Sequence, residues 1–401
     1  MGKLVPLTSS DKSYFTTSSR LQISIQYIEL FLLLKAIKAG MKITRVKKRL
    51  SIILLMLVIV FIIACFPTPP RNPIQYYERK SGQLLTEKVA GEKWLVWLYY
   101  NPVGEATLWT LAKRKVVSSI YGNMMNRTSS AKKIPPFIDD FDIDMSGVQE
   151  QEFENFNDFF TRRLKENARP IDTSSNIVIS PADGKILAYA DIGNSDFIIK
   201  GFRFDVSSFL DNPVLAQKYS DGALLVIRLA PVDYHRFHFP VSGILTSNKK
   251  IEGDYYSVNP FALRKKAEIL CLNKREYTIL SNPSFGEVVM AEVGATMVGS
   301  IVQTHKGSSA IKGKEKGYFE FGGSTVVLLF ERNKISIDAD LLINTANGYE
   351  TLVKMGERIG EATPAQSFVV SDLIRYSKWY EHRPPQAFVS SPVFFVKGGA
   401  E

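Results

Sequence analysis

The sequence predicts an α+β protein, with a mainly antiparallel β core and N-terminal helices, preceded by a membrane anchor segment. Three observations carry that prediction. From Asn176 onward, short apolar runs at 177–180, 185–190, 223–229, 287–293, 297–303 and 326–330 are cut by Gly, Pro, Asn and Asp, the texture of strands and turns. Ahead of them, residues 92–126 and 153–171 place apolar residues at helical spacing. Ahead of those, residues 50–66 form a run of 17 without a charge.

The chain has 401 residues, enough for one large or two ordinary domains. Its hydrophobic content of 45% supports a packed core. Cys65 and Cys271 are the only cysteines, so neither a disulfide framework nor a cysteine metal site is expected. The net charge of +10 is confined to one end. Residues 1–80 hold 13 Lys/Arg against 3 Asp/Glu, and the rest is balanced at 37 of each. A neutral body argues against nucleic-acid binding; a basic arm suits an anionic lipid surface. The expected organisation is a basic arm at 1–49, disordered or partly helical, a hydrophobic membrane segment at 50–66, interfacial helices and a linker at 67–150, and a catalytic domain at 151–401.

The arm begins with a Ser- and Thr-rich stretch, 1–26, in which no packed structure is expected. Seven cations, from Lys35 to Arg49, then precede the apolar run, which ends at Pro67, Pro69 and Pro70. A spanning helix needs about 20 apolar residues, with a lower limit of about 17. The flanking cations favour a membrane element over a buried core helix. Met41 opens a segment shaped like a signal sequence, and Ile62-Ile63-Ala64-Cys65 loosely resembles a lipoprotein cleavage box. An uncleaved anchor is preferred to lipidation at Cys65. Cations before the span put the N-terminus inside and the body outside. That fits a bacterial cell membrane, with the mitochondrial inner membrane as the alternative; an inward-facing body stays open.

Next, Trp94, Trp97, Tyr99 and Tyr100 read either as an interfacial helix or as a lid on the core, with a break at Pro102. Residues 135–150, holding Asp139, Asp140, Asp142 and Asp144, read as a solvated linker. Residues 153–171 read as an amphipathic helix with Phe156, Phe159, Phe160 and Leu164 on the buried side.

Three stretches carry polar groups into the β-rich part. Pro181-Ala182-Asp183-Gly184 is a turn between strands. Asp233-Tyr234-His235-Arg236-Phe237-His238 holds two of the four histidines. Gly322-Gly323-Ser324-Thr325 puts two glycines before a serine and an apolar run. Glycine permits backbone conformations other residues resist, so the Gly323 carbonyl can be offered to the Ser324 hydroxyl. An N-to-O acyl shift there, then elimination and hydrolysis, leaves a pyruvoyl group and two chains, 1–323 and 324–401. The same residues also fit an ordinary turn entering a strand. Asp, His and Ser are the ingredients of a base-activated nucleophile. His-x-x-His has no third ligand at close spacing, so no metal is expected. There is no Gly-x-Ser-x-Gly elbow and no P-loop.

Taken together, the motifs resemble the pyruvoyl-dependent phosphatidylserine decarboxylase family. The likeness runs from Asn101-Pro102-Val103-Gly104 through Ala168-Arg169-Pro170-Ile171, the Asp183 turn, the 233–240 stretch, Ser257-Val258-Asn259-Pro260, Val293-Gly294-Ala295 and Lys312 to Thr325. It ends at Gly348-Tyr349-Glu350-Thr351 and Gly360. The family often has Leu where this chain has Gly322. The resemblance implies that Ser324 attacks Gly323 and becomes the covalent pyruvoyl cofactor. It makes His238 the general base for that cleavage, Asp183 its orienting carboxylate, and His235 a proton carrier in decarboxylation. It implies phosphatidylserine in a membrane as substrate, phosphatidylethanolamine and CO2 as products, and α and β chains cut from one precursor. A homo-oligomer is left open. Three alternatives stand beside it: a decarboxylase of a related serine phospholipid, a membrane-anchored serine hydrolase that keeps Ser324, and a β-domain without activity.

Overall fold

The computed structural model describes residues 45–68, 71–149, 151–193, 198–199, 202–266, 268–295 and 300–364. The expectations for residues 1–44 and for the C-terminal tail lie outside them. The chain divides into two compact units, one holding the helix Arg45–Cys65 with residues Asn101–Val103, the other holding the rest.

The helix of the first unit starts inside the cation cluster and runs 21 residues. By length and composition, its 48–65 segment is apolar enough to cross a membrane. Leu54, Leu57 and Phe61 on it are exposed.

The second unit is built on a ten-stranded sheet. Its order is Ser309–Ala310, Gly243–Ile251, Arg275–Asn282, Gly286–Val293, Ser324–Phe330, Ala223–Leu229, Gly184–Tyr189, Glu350–Val353, Gln75–Glu78, Gln83–Thr86. Every neighbouring pair is antiparallel except Gln75–Glu78 with Glu350–Val353. The strand Ser324–Phe330 lies between Gly286–Val293 and Ala223–Leu229 and is buried along its whole length.

Alternate residues of a strand face opposite sides, and here both sides are covered. Leu224, Val226, Val327 and Leu329 pack with Phe209, Tyr219, Ala262 and Ile269 from helical segments. Leu225, Ile227, Val326 and Leu328 pack with Phe237, Phe319, Val178 and Ile359 from two small three-stranded sheets. Burial on both faces explains why these strands read as continuous apolar runs rather than as alternating patterns.

Two expectations need correction. Residues 153–171 form only the short helix Phe156–Phe160, capped by the Asn155 side chain. Beyond it, Arg162 turns inward to the Val232 carbonyl at 2.9 Å, and residues 163–165 bond to 147–149. The aromatic spacing was a packing signal; the buried arginine ends the helix. Residues 135–150 are not all linker: Ile134–Phe141 is a helix with proline in its first turn and Asp142 in left-handed conformation at its end, the usual placement of both. The helical block at 92–126 is split, with Glu92–Tyr100 ending before Pro102 and Lys115–Met125 following. Of the 297–303 run, Ile301–Gln303 is strand; 297–299 lie outside the described residues.

Candidate active site

Ser324 opens the central strand, paired in register with Leu229. Its side chain is fully buried, and Oγ has no hydrogen-bond partner among the described residues. The Gly-Gly turn feeding it is fixed on several sides. Phe321 N donates to Asn157 Oδ1 at 2.8 Å, and the Phe321 ring packs edge-on against Phe156 and Phe160. Gly322 has φ of 141°, a conformation that strains any residue with a Cβ. That is a physical reason for glycine where the resembled family often has leucine. A Cβ at Gly323 would come 3.2 Å from Val258 Cγ2, so the Gly323–Ser324 peptide lies against the 257–259 loop.

His235 is buried against Phe160, ring centroids 3.8 Å apart. Its Nδ1 is 2.9 Å from the Asp233 carbonyl. A carbonyl only accepts, so Nδ1 carries the proton and Nε2 the lone pair. Nε2 makes no hydrogen bond among the described residues, although the Gly322 carbonyl lies near enough to favour a charged ring. Burial wins and pushes the imidazole down to about 3, against the opposing pull of Asp233 and Gly322. At neutral pH the ring is a free base beside the Gly322–Gly323 turn.

His238 differs at each point. Nδ1 is 3.0 Å from the Gly313 carbonyl, and Nε2 is 3.2 Å from the Tyr234 hydroxyl. The same reasoning puts the proton on Nδ1, so the Tyr234 O–H donates to Nε2 and occupies its lone pair. Burial lowers the imidazole, with the Gly313 carbonyl opposing.

Asp183 is engaged four times. Arg169 grips it with Nε at 2.9 Å and Nη2 at 2.6 Å, Met355 N donates at 2.9 Å, and Lys354 Nζ lies at 3.4 Å. The Asp183 turn reaches His238 through backbone, His238 N donating to the Pro181 carbonyl at 2.8 Å. Thus the structure brings His235 to the Gly322–Gly323 turn and His238 to the Asp183 turn. Asp183, His238 and Ser324 form no hydrogen-bonded triad with one another.

A buried ionic cluster lies alongside, unforeseen in the sequence reading. Arg228 grips Glu87 at 3.1 and 2.6 Å and Glu350 at 3.3 and 2.6 Å. Lys185 stands 3.7 Å from Glu87 and 3.6 Å from Asp233. Burial pulls the Lys185 ammonium down, but Asp233 and Glu87 outweigh it and hold it above its ordinary range. Burial likewise raises the Asp233 carboxyl, and Lys185 with Lys354 brings it below its ordinary range. Asp233 Oδ2 accepts from Ala230 N at 2.8 Å, which fixes the carbonyl that orients His235. The available signal was a charged residue inside each apolar run: Arg228 in 223–229 and Lys185 in 185–190.

A cavity of about 650 Å³ opens beside the turn. Gly322, Gly323, Ser257, Val258 and Asn259 line it together with Leu95, Leu98, Tyr121, Met125 and Phe137. Its lining is mostly apolar and includes the Gly322–Gly323 turn.

A family model described as "Phosphatidylserine decarboxylase" matches residues 156–361. The phosphatidylserine decarboxylase proenzyme of Fusobacterium nucleatum is 51% identical over 291 residues, 72% of this chain and 97% of the relative. Proenzymes of the same description from Clostridium botulinum (strain Hall) and Clostridium perfringens (strain SM101) are 52% and 47% identical, each over 72% of this chain and 99% of the relative. The matched region contains Asp183, His235, His238 and the whole Gly322–Thr325 turn, and on that similarity the chain belongs to the phosphatidylserine decarboxylase family.

Proposed function

We propose that this chain cuts itself between Gly323 and Ser324 and then decarboxylates phosphatidylserine to phosphatidylethanolamine at a membrane, using a pyruvoyl group made from Ser324. The observation that carries the reading is the Ser324 hydroxyl: buried, unpartnered, next to a Gly-Gly turn with positive φ, at the end of an apolar cavity. Attack of Oγ on the Gly323 carbonyl breaks the C–N bond and forms an ester, freeing the amine of residue 324. Loss of the Cα proton then expels Gly323 as a carboxylate. Water hydrolyses what remains to a ketone and ammonia.

The residues present fit such a group, because the site already holds a small buried side chain with no hydrogen bond to give up. The ketone supplies an anchor for the substrate amine and a sink for the electron pair that CO2 leaves behind. The chain supplies the rest. The Phe321 ring and the 257–259 loop hold the turn, and the cavity excludes water. His238, with Asp183 acting on it through charge, serves as the base for cleavage once Nε2 is freed from Tyr234. His235 holds the proton for the carbon that loses CO2. In the uncleaved chain burial keeps His235 neutral; a new Gly323 carboxylate beside it favours the charged ring.

The two products are a β chain, 1–323, and an α chain, 324–401, which stay joined because 324–330 lies in the centre of the sheet. The helix Arg45–Cys65 anchors the protein in a bacterial membrane. Trp94, Trp109, Val116, Ile120 and Met124 are exposed on the body and suit contact with lipid. Mass spectrometry of the purified protein tests the reading. The expected result is a fragment starting at position 324 with no free amine. An active protein with one intact 45.1 kDa chain overturns it and favours a serine hydrolase.

A further inference from the structure

The cavity beside the scissile turn is amphipathic, and its charge is uneven. Two cations line it, Arg228 and Lys133, and no Asp or Glu does among the described lining residues. Arg228 is buried and grips Glu87 and Glu350, so it has no charge to offer a ligand. Lys133 is exposed and joins no ion pair with another described residue. It stands where Thr128–Lys133 meets the helix Ile134–Phe141, and Trp94, 72% exposed, lines the same mouth. The uncommitted charge of the cavity is therefore a single cation at its opening.

We infer that Lys133 is a substrate-binding residue that holds the phosphodiester anion of the lipid head group and so selects a phosphate-bearing serine. This rests on the function proposed above. The phosphorus of a serine phospholipid is three bonds from the carbon that loses CO2, so its partner must reach inward from the mouth. A lysine on a flexible four-carbon stem does that as a point charge. Glycerol and chains then extend past Trp94, an interfacial side chain. Neighbouring Lys132 is exposed too but does not line the cavity, which separates a local contact from general attraction to an anionic surface.

The test uses the full-length protein in detergent, with a short-chain phosphatidylserine kept monomeric, and separately with vesicles of phosphatidylserine and phosphatidylcholine. Lys133→Ala, Lys133→Glu, Lys133→Arg and Lys132→Ala are compared with wild type. All are expected to cleave fully. Lys133→Ala should raise KM for the monomeric substrate about tenfold, a loss of about 1.4 kcal/mol, with kcat within about twofold. Lys133→Glu should raise KM further, Lys133→Arg should restore most of it, and Lys132→Ala should match wild type. An unchanged KM in Lys133→Ala overturns the assignment. So does an equal effect of Lys132→Ala, or an effect seen only on vesicles. A wild-type protein that neither cleaves nor decarboxylates removes the functional reading itself, and that is seen before any variant is made.

Discussion

Two corners of the same site, whose histidines His235 and His238 stand three residues apart in sequence, are finished to different degrees. At the Ser324 corner, Oγ and His235 Nε2 are both buried without hydrogen bonds. At the Asp183 corner the carboxylate accepts three hydrogen bonds and pairs with Lys354, and both nitrogens of His238 are engaged. Buried polar groups left unpaired cost free energy, so the first corner is the less satisfied of the two. The second is tied down. On the proposed function, the chain before cleavage holds its nucleophile without a hydrogen bond and its expected base with both nitrogens engaged.

The largest effects test which histidine does what. Ser324→Ala and His238→Ala are expected to remain single chains on a denaturing gel, with no decarboxylation. His235→Ala is expected to cleave yet lose most of its turnover, by about 10²-fold or more for a lost proton carrier. The reverse pattern, with His235→Ala uncut and His238→Ala processed, would make the nearer, freer histidine the base and break the assignment carried from the family motif.

The contrast in stability comes next, measured by urea unfolding in the uncleavable Ser324→Ala background. Arg169→Ala leaves the buried Asp183 carboxylate short of two donors and should cost about 3 kcal/mol. Ser324→Ala itself removes a hydroxyl with no partner and should change stability by less than about 1 kcal/mol relative to a Ser324→Cys precursor. Equal costs at the two corners would mean the difference in hydrogen bonding has no energetic counterpart.

These contrasts mark what could be read in the chain. The strand Ala223–Leu229 has the bounds its apolar run predicts, and the run 326–330 needed only Ser324 and Thr325 added. Doubly buried strands announce themselves by composition. The candidate site residues stand out as types: an Asp turn, paired histidines and a Gly-Gly-Ser. Their pairing was not, because which donor meets which acceptor depends on side chains from distant elements. Arg169, Lys354 and Met355 take Asp183, and Tyr234 and Gly313 take His238. The helix expected over 153–171 stops short for the same reason: Arg162 is buried on the carbonyls of Val232 and Asp233, partners that lie far away in the chain.

A titration sharpens the comparison. His235 is held well below its ordinary range, so the folded chain keeps it neutral while the unfolded chain binds a proton near pH 6.5. Its contribution to stability is full above that value and is lost as pH falls from about 6.5 toward about 3. The uncleaved Ser324→Ala protein should therefore lose melting temperature between pH 7 and 4, and adding His235→Asn should flatten that slope. In the cleaved protein the Gly323 carboxylate should raise the His235 titration by about one unit or more, read by NMR of labelled histidine. No upward movement would detach His235 from the cleavage event.

The smallest effect concerns the lock itself. In Tyr234→Phe the phenol O–H no longer occupies His238 Nε2. That bond stabilises the neutral imidazole, so it holds the ring's titration down and must be given up before Nε2 takes a proton from Ser324. Burial, the main cause of the lowered His238 titration, stays in place, so removing the bond should raise that titration modestly and shift the acid limb of the cleavage rate slightly to higher pH. Above that limb, cleavage should speed up by a few-fold to about tenfold, the equivalent of a bond worth about 1 kcal/mol that need no longer be broken. Stability should fall by a similar amount, because Nε2 is left without its donor. Cleavage measured at two or three pH values by single-turnover gel assay separates the outcomes. Faster cleavage with a displaced pH limb identifies Tyr234 as a restraint on the base. Slower cleavage at every pH identifies the phenol as part of the proton path, and the Asp183 corner is then finished for catalysis rather than locked against it.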